Sequence, residues 1–184
     1  MVSNKKVLLL DRDGTLNVKA PGHGYIYLPS QFEFLPGVID ALALLTQAGF
    51  RFMVITNQAG VSKGLYTEAQ VNTLHRYMCE QLAGHGIAID DIIFCPHFTE
   101  SCQCRKPKPG MFTTLADRHG LTLSDLIYVG DDPRDMVAAR NAGVQGLKLG
   151  DDENGDDASK PTVGYADSLL DAVPMIIDWY QKHG

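Results

Sequence analysis

One sequence feature limits most strongly how this 184-residue chain can fold. It is a series of short apolar runs, each of which ends at a polar or reactive residue. Stretches with the 3.6-residue apolar period of helices separate these runs. Runs that are apolar on both faces are typical of buried parallel strands. The alternation predicts an α/β fold with a doubly wound, Rossmann-like parallel sheet. The predicted strands are residues 7–10, 52–55, 92–94 and 126–129, and a weaker run at 144–149 extends the sheet.

Two local signals set helix limits in the predicted fold. Thr67 and Gln70 have the spacing of a capping box, which predicts a helix that begins after Thr67. Near the end of the chain, Pro174 falls within a helical pattern and is tolerated best where a helix starts. We therefore expect two helical pieces there, at residues 168–173 and 175–181.

Composition excludes several classes of function. The chain is 45% hydrophobic and 21% charged, so we expect residues 1–184 to form a single domain with a core. The net charge is −6 and no basic run could follow a phosphate backbone, so no nucleic-acid partner is expected. The apolar run before Asp11 is too short for a signal peptide or a membrane helix. We expect a cytoplasmic monomer that does not bind membranes, since no apolar surface stripe is evident.

Carboxylates follow two of the predicted strands. Asp11 and Asp13 come directly after the first strand, and Asp131 and Asp132 follow the fourth. Because the carboxyl ends of parallel strands meet at one edge of a sheet, these acids are expected to converge. Two such acids can act as nucleophile and as proton donor, and crowded carboxylates favour a bound magnesium ion. Taken singly, each motif is also ordinary turn or helix-cap chemistry.

Groups that could hold a phosphate lie in two further segments. Thr56, Asn57 and Gln58 follow the second strand, and Arg105 and Lys106 precede a predicted helix. Hydroxyl, amide and ammonium groups can hold the oxygens of a phosphoryl group in transfer. Each segment is a weak signal alone, but together with the carboxylates that follow the strands they favour phosphoryl transfer.

Three cysteines and one histidine within ten residues form a candidate zinc site. Cys95, His97, Cys102 and Cys104 supply a complete Cys3His set for tetrahedral zinc. Because protein ligands fill all four positions, the zinc is expected to be structural and to fix the loop that presents Arg105. The alternatives are a Cys102–Cys104 disulfide and cysteines without a ligand.

The order of these motifs resembles the haloacid dehalogenase superfamily of phosphotransferases over the whole chain. The matching residues are DRDGT at 11–15, Thr56, Lys106 and GDD at 130–132. The resemblance implies that Asp11 is the nucleophile that forms an aspartyl-phosphate and that Asp13 is the general acid and base. It also implies a magnesium ion held by Asp11, by the backbone carbonyl of Asp13 and by Asp131.

The same resemblance implies that Thr56 and Lys106 stabilise the phosphoryl group. Lys108 is an alternative to Lys106, which we favour because the family places its lysine directly after the arginine. Spacing between the motifs leaves no room for a cap of domain size, so short loops and the substrate itself must exclude water.

Within the superfamily, the zinc loop followed by CRKP, with the stretches DRDGTLN and TNQAGVSKG, resembles the group of heptose-bisphosphate and histidinol-phosphate phosphatases. It implies a magnesium-dependent phosphatase that removes the 7-phosphate of a heptose 1,7-bisphosphate, a small phosphorylated sugar used for surface polysaccharide. Histidinol phosphate is the alternative substrate, and the short zinc loop is nearer to that form. The alternative from another functional class is a zinc-stabilised binding protein that does not catalyse a reaction. The substrate contacts implied by the match are Gly22, His23, Gly24, Tyr25, Asn57, Gln58, Ala59 and Arg105.

Overall fold

The structure is a computed structural model that describes residues 6–22, 24–98, 102–151 and 157–183. In these ranges, six strands and five α-helices form the fold. The strands are β1 (Val7–Leu10), β2 (Arg51–Asn57), β3 (Ile89–Cys95), β4 (Ile127–Gly130), β5 (Gln145–Leu149) and β6 (Gly164–Ala166). The helices are α1 (Val38–Gln47), α2 (Glu68–Ala83), α3 (Gly110–His119), α4 (Pro133–Ala142) and α5 (Leu169–His183). Within the described ranges, none of the helices is both long and apolar enough to cross a membrane.

The strands form one parallel sheet in the order β3-β2-β1-β4-β5-β6, which confirms the predicted fold class. The strand order reverses at β1, where Leu9 pairs with Met53 of β2 on one side and with Tyr128 of β4 on the other. Ligands bind outside the carboxyl ends of the strands at such a reversal. The sequence did not predict β6, because its three residues contain no apolar run.

Side chains of β1 point alternately to the two faces of the sheet, and both faces are covered by helices. Leu8 and Leu10 pack in a cluster with residues of α1 and α5. Val7 and Leu9 pack in a second cluster with residues of α3 and α4. Because all four side chains are buried, β1 is held from both sides. The residue that follows β1 is therefore attached to a strand that is packed on both faces.

The last helix differs from the prediction, whereas the start of α2 agrees with it. Thr67 and Gln70 form the predicted capping box, in which each side chain accepts a hydrogen bond from the other's backbone amide. The prediction of two pieces around Pro174 is wrong, because α5 is one continuous helix. Pro174 is exposed, and the buried face runs past it from Leu169 to Tyr180. Burial of that face outweighs the one backbone hydrogen bond that a proline removes.

Candidate active site and zinc site

A tight turn after β1 brings the two acidic segments together. The backbone amide of Asp11 donates to the carbonyl of Val129 at 2.9 Å, so Asp11 lies where β1 and β4 end. Gly14 has a φ of +88°, and a Cβ there would lie 2.5 Å from a carboxylate oxygen of Asp131. A glycine is therefore required at this position, both for the backbone conformation and for the close approach of Asp131.

Lys106 lies buried between two carboxylates at the same sheet edge. Its Nζ is 2.9 Å from Oδ1 of Asp11, 2.7 Å from Oδ1 of Asp135 and 2.7 Å from the Tyr128 hydroxyl. Burial disfavours the charged amine, but the two carboxylates outweigh it and raise the pKa of Lys106 above its usual value. Lys108 instead donates to a backbone carbonyl of the zinc loop at 2.8 Å. Lys106, and not Lys108, is thus the lysine beside Asp11.

Asn57, at the end of β2, holds the backbone on which Lys106 stands. Its Oδ1 accepts the Lys106 amide at 3.0 Å, and its Nδ2 donates to the Lys106 carbonyl at 3.1 Å. Asn57 was predicted to contact substrate, and it does line the cavity described below. Its two polar atoms nevertheless already have partners, so its clearest effect is to orient Lys106.

The Asp13 carboxylate is held by donors from three side chains. Arg12 donates at 2.9 and 3.0 Å, Asn17 at 3.0 Å and Gln58 at 2.9 Å. Burial raises the pKa of Asp13, but the Arg12 charge and these hydrogen bonds outweigh burial and lower it below its usual value. Gln58 also donates to the Thr56 hydroxyl at 3.1 Å. Gln58, a predicted substrate contact, is thus buried and positions Asp13 and Thr56.

Arg12 and His75 form a buried pair for which no role was predicted. Arg12 is fully buried and donates to the Ile26 carbonyl at 2.8 Å, and its Nη1 lies 3.1 Å from Nε2 of His75. Burial, with the adjacent Arg12 charge, lowers the pKa of His75 to about 3. The imidazole is therefore neutral and can accept the Arg12 hydrogen bond. These two residues are 63 positions apart, and nothing in the sequence pattern connects them.

Three carboxylates, one of them that of Asp11, fit a magnesium ion. Asp11, Asp131 and Asp135 offer oxygens that all lie within 4.8 Å of one another. Oδ1 of Asp131 is buried and has no hydrogen-bond partner in the described part of the chain. Burial and the Asp135 charge raise the pKa of Asp11 to about 8, so the cluster needs more positive charge than Lys106 supplies. Oxygen-only donors of this kind suit magnesium. Asp135 was not predicted as a ligand, although it belongs to the same acidic segment as Asp131.

A cavity of about 190 Å³ opens above these acids. Of the predicted substrate contacts, Tyr25, Ala59 and Arg105 line it together with Asn57, whereas Gln58 does not. Among the described residues, Gly22 and Gly24 are also outside the lining, although both closely precede Tyr25 in the chain. The prediction for His23 lies outside the described residues.

Two cations in the cavity were not predicted as site residues. Lys19 forms an ion pair with Asp131, and Arg134 pairs with Asp132 at 2.8 Å. Asp132 also caps the start of α4, since its carboxylate accepts a hydrogen bond from the backbone amide of Arg134 at 2.9 Å. Positive side chains on the wall of a polar cavity favour an anionic ligand. Lys19 lies four residues beyond the DRDGT motif, where the sequence pattern carries no signal.

The predicted zinc ligands lie together at the end of β3. Sγ of Cys95 is 3.6 Å from Sγ of Cys102 and 3.0 Å from Sγ of Cys104, and Nδ1 of His97 is 3.3 Å from Sγ of Cys104. Tetrahedral zinc with ordinary bond lengths places its ligand atoms roughly 3.5–3.8 Å apart. The 3.6 Å contact matches this spacing, and the 3.0 and 3.3 Å contacts would open by several tenths of an ångström around the ion. All the cysteines are free thiols, so the alternative of a Cys102–Cys104 disulfide is wrong. The four residues therefore fit a closed structural zinc site.

One thiol of this cluster ionises easily. Burial opposes ionisation of Cys102, but hydrogen bonds from the backbone amide of Arg105 and from Cys104 lower its pKa to about 6. The thiolate is the form that binds metal, so Cys102 is prepared as a ligand near neutral pH.

Comparison of the sequence with models of protein families shows to which family the chain belongs. The model of the haloacid dehalogenase-like hydrolases matches residues 5–143, which include β1 to β4 and every residue of the Asp11 site. This chain belongs to the haloacid dehalogenase-like hydrolases. The superfamily resemblance found in the sequence motifs is thereby confirmed.

Relatives of this hydrolase carry a consistent name. The chain is 41% identical over 152 residues, 78% of each protein, to the D-glycero-beta-D-manno-heptose-1,7-bisphosphate 7-phosphatase of Escherichia coli O6:H1. It is 38% identical over 153 residues to the Vibrio cholerae protein of that name, covering 79% of this chain and 80% of that protein. A crystal structure of D,D-heptose 1,7-bisphosphate phosphatase from B. bronchiseptica, complexed with magnesium and phosphate, matches with a TM-score of 0.82 and 31% identity. It covers 94% of this chain and 98% of that one.

In this hydrolase the zinc cluster and the Asp11 site are joined through one arginine. The carbonyl of His97 accepts a hydrogen bond from Nη1 of Arg105 at 3.0 Å. Lys106 follows directly in the chain, and Asn57 holds its backbone from the other side. Metal binding at the cluster would therefore fix the wall of the cavity from which Arg105 and Lys106 project.

Proposed function

We propose that this hydrolase removes the 7-phosphate of D-glycero-D-manno-heptose 1,7-bisphosphate, using magnesium, in the synthesis of nucleotide-heptose precursors. The observation that carries the proposal is the position of Lys106 between Asp11 and Asp135, at the strand reversal of a chain whose relatives bear this activity in their names. Those names specify the β anomer, which we propose as the preferred form. Histidinol phosphate is not favoured, despite the short zinc loop, because the relatives described above are heptose enzymes.

In the first step, a carboxylate oxygen of Asp11 attacks the phosphorus of the 7-phosphate. The bond from phosphorus to the C7 oxygen breaks, and that oxygen receives a proton from Asp13. Lys106 neutralises charge on the phosphoryl oxygens as they pass from sugar to aspartate. Magnesium, held by Asp11, Asp131 and Asp135 with the backbone carbonyl of Asp13, would supply further positive charge to the same oxygens.

The Thr56 hydroxyl can donate a hydrogen bond to the phosphoryl group, because its contact with Gln58 uses a lone pair and not its hydrogen. A hydroxyl has one hydrogen to donate and two lone pairs to accept. The Gln58 amide donates to Thr56 Oγ1 at 3.1 Å and so occupies one lone pair, which leaves the hydroxyl hydrogen for an acceptor in the cavity. This polarity supports the proposed role of Thr56 in holding a phosphoryl oxygen.

In the second step, water attacks the phosphorus of the aspartyl-phosphate and Asp13 takes its proton, so that Asp11 and inorganic phosphate are released. The observed contacts of Asp13 suit this step, since Arg12, Asn17 and Gln58 keep it ionised. Its role as an acid in the first step requires that it first gain a proton. We propose that Asp13 turns away from Arg12 to do so, because loss of that charge raises its pKa.

The test is phosphate release from the heptose bisphosphate in the presence and absence of magnesium. We expect turnover only with magnesium, none in Asp11→Asn or Asp13→Asn, and a strong reduction in Lys106→Ala. Acid-quenched wild-type protein should carry phosphate on Asp11 by peptide mass spectrometry. Full turnover in Asp11→Asn would refute the nucleophile, and ligand binding without any turnover in the wild type would instead favour the binding-protein alternative.

We also propose that residues 1–184 act as one phosphatase domain, because β5, β6 and α5 continue the sheet and core beyond the matched residues 5–143. A cytoplasmic monomer with no nucleic-acid or membrane partner remains the prediction. Sedimentation of the purified chain tests the oligomeric state.

A further inference from the structure

A lysine in the loop after β1 lies over the acids that fit magnesium. The backbone before it is fixed, since the Gly14 amide donates to the carbonyl of Asn17 at 2.8 Å and the Val18 amide donates to the carbonyl of Glu33 at 2.9 Å. From there the Lys19 side chain turns back over Gly14, where a Cβ would lie 2.4 Å from its Cε. The Lys19 side chain is 49% exposed and flexible, so its ammonium can move while the preceding backbone stays in place.

The Lys19 ammonium contacts a carboxylate of the magnesium site. It forms an ion pair with Oδ2 of Asp131, one of the three acids whose oxygens lie together. The charges of Asp132 and Asp11 attract the same ammonium. The other Asp131 oxygen, Oδ1, is buried and has no hydrogen-bond partner in the described ranges. Lys19 therefore supplies positive charge to Asp131 in the absence of metal.

The two lysines at the acid cluster are held very differently. Lys106 is 4% exposed and lies between Asp11 and Asp135, so its charge is fixed within the site. Lys19 reaches Asp131 from the solvent side through a single ion pair. A magnesium ion at these acids would bring two further positive charges close to the Lys19 ammonium, and like charges repel. Of the two lysines, Lys19 is the one that can withdraw.

We propose that Lys19 takes the place of magnesium at Asp131 in the metal-free protein and leaves this carboxylate when the metal binds. This inference rests on the magnesium-dependent function proposed above. Because the ion pair must break, Lys19 lowers the affinity of the site for magnesium. Lys19 is thus not a ligand of the metal. It sets the magnesium concentration at which the site fills.

The first experiment is calorimetric titration of the full chain with magnesium chloride and no substrate. Lys19→Met keeps the aliphatic stem over Gly14 but removes the charge. The Kd for magnesium should therefore fall roughly three- to fivefold, as expected for loss of one partly exposed competing ion pair. Lys19→Arg keeps the charge and should stay within about twofold of the wild type.

Arg134→Met is the matched control for a general effect of charge. Arg134 is a half-exposed cation of the same cavity, but it pairs with Asp132, which is outside the group of three acids. Its removal should change the Kd for magnesium by less than about twofold. A decrease as large as that of Lys19→Met would mean that any nearby positive charge opposes the metal.

The second experiment follows the Lys19 amine by acetylation and peptide mass spectrometry. Lys19 should be labelled slowly without magnesium and at least about threefold faster with saturating magnesium, because the amine is then free of Asp131. Lys182, which pairs with Asp178 on α5, should be labelled at the same rate in both conditions.

An unchanged or higher Kd in Lys19→Met, an equal decrease in Arg134→Met, or Lys19 labelling that magnesium does not alter would each overturn the inference and leave the proposed function standing. If the wild type binds no magnesium, the proposed magnesium-dependent function fails as well.

Discussion

Removal of the Lys106 charge should destabilise the protein strongly in magnesium-free buffer. The Lys106 side chain is 4% exposed, and its partners Asp11 and Asp135 are 10% and 2% exposed. Lys106→Met keeps most of the volume but leaves two buried carboxylates without their cation. Loss of one partner from a buried ion pair costs roughly 3–5 kcal/mol in the free energy of unfolding. For a chain of this length, that corresponds to a fall in Tm of roughly 10 °C.

Urea unfolding measures this effect, with Lys182→Met as the control. The exposed Lys182–Asp178 pair should contribute no more than about 0.5 kcal/mol. An unfolding free energy of Lys106→Met within about 1 kcal/mol of the wild type would refute the argument that Lys106 neutralises buried acids.

The deficit of Lys106→Met, meaning its loss of unfolding free energy relative to the wild type, should also depend on pH. Burial and the Asp135 charge already raise the pKa of Asp11 to about 8, and the Lys106 charge opposes this rise. Without Lys106, Asp11 binds its proton still more tightly in the folded state than in the unfolded state. The folded wild type already binds this proton below about pH 8, so the two proteins differ only above that pH, where the wild type loses the proton and the variant keeps it. The deficit of the variant should therefore grow as the pH rises from about 8 towards 10. A deficit that stays constant over this range would show that the lost charge is not its cause.

Three further predictions follow from single contacts. Gly14→Ala places a methyl group against Asp131 at a positive φ, so the magnesium concentration for half-maximal activity should rise at least about fivefold; an unchanged magnesium titration would contradict the glycine argument. Cys102→Ser should remove the zinc that elemental analysis finds at about one per chain in the wild type, and wild-type protein purified without zinc would argue against the site. His75→Leu leaves Nη1 of buried Arg12 without an acceptor and should cost about 1–3 kcal/mol in urea unfolding, whereas His75→Gln should recover part of it; equal losses in both variants would mean that packing, not the hydrogen bond, is responsible.

The sheet and the main site could be predicted from the sequence for a simple physical reason. Each buried strand is an unbroken apolar run, and parallel strands deliver the residues that follow them to one edge. Asp11, Thr56 and Asp131 each follow such a run, so their meeting at one edge follows from the topology. The zinc ligands are close in sequence, so their spacing alone indicated the site.

What escaped prediction depends on contacts between distant segments or on weak local signals. Arg12 meets His75 only after α2 has packed beside the β1 turn, and a buried histidine looks like any helix residue in the sequence. In the sequence alone, Asp135 could equally be a surface residue of α4. Its contact with Lys106 exists only in the folded structure. Pro174 does not interrupt the last helix as predicted, because the apolar face of α5 continues past it on the buried side.

The central claim is tested most directly by steady-state phosphate release with magnesium from both anomers of heptose 1,7-bisphosphate and from histidinol phosphate, with Asp11→Asn as the blank. We predict that kcat/KM for the β anomer exceeds that for histidinol phosphate at least about tenfold, which is about 1.4 kcal/mol of differential transition-state binding. A higher kcat/KM for histidinol phosphate would contradict the assignment and would show that the short zinc loop was the better guide to the substrate.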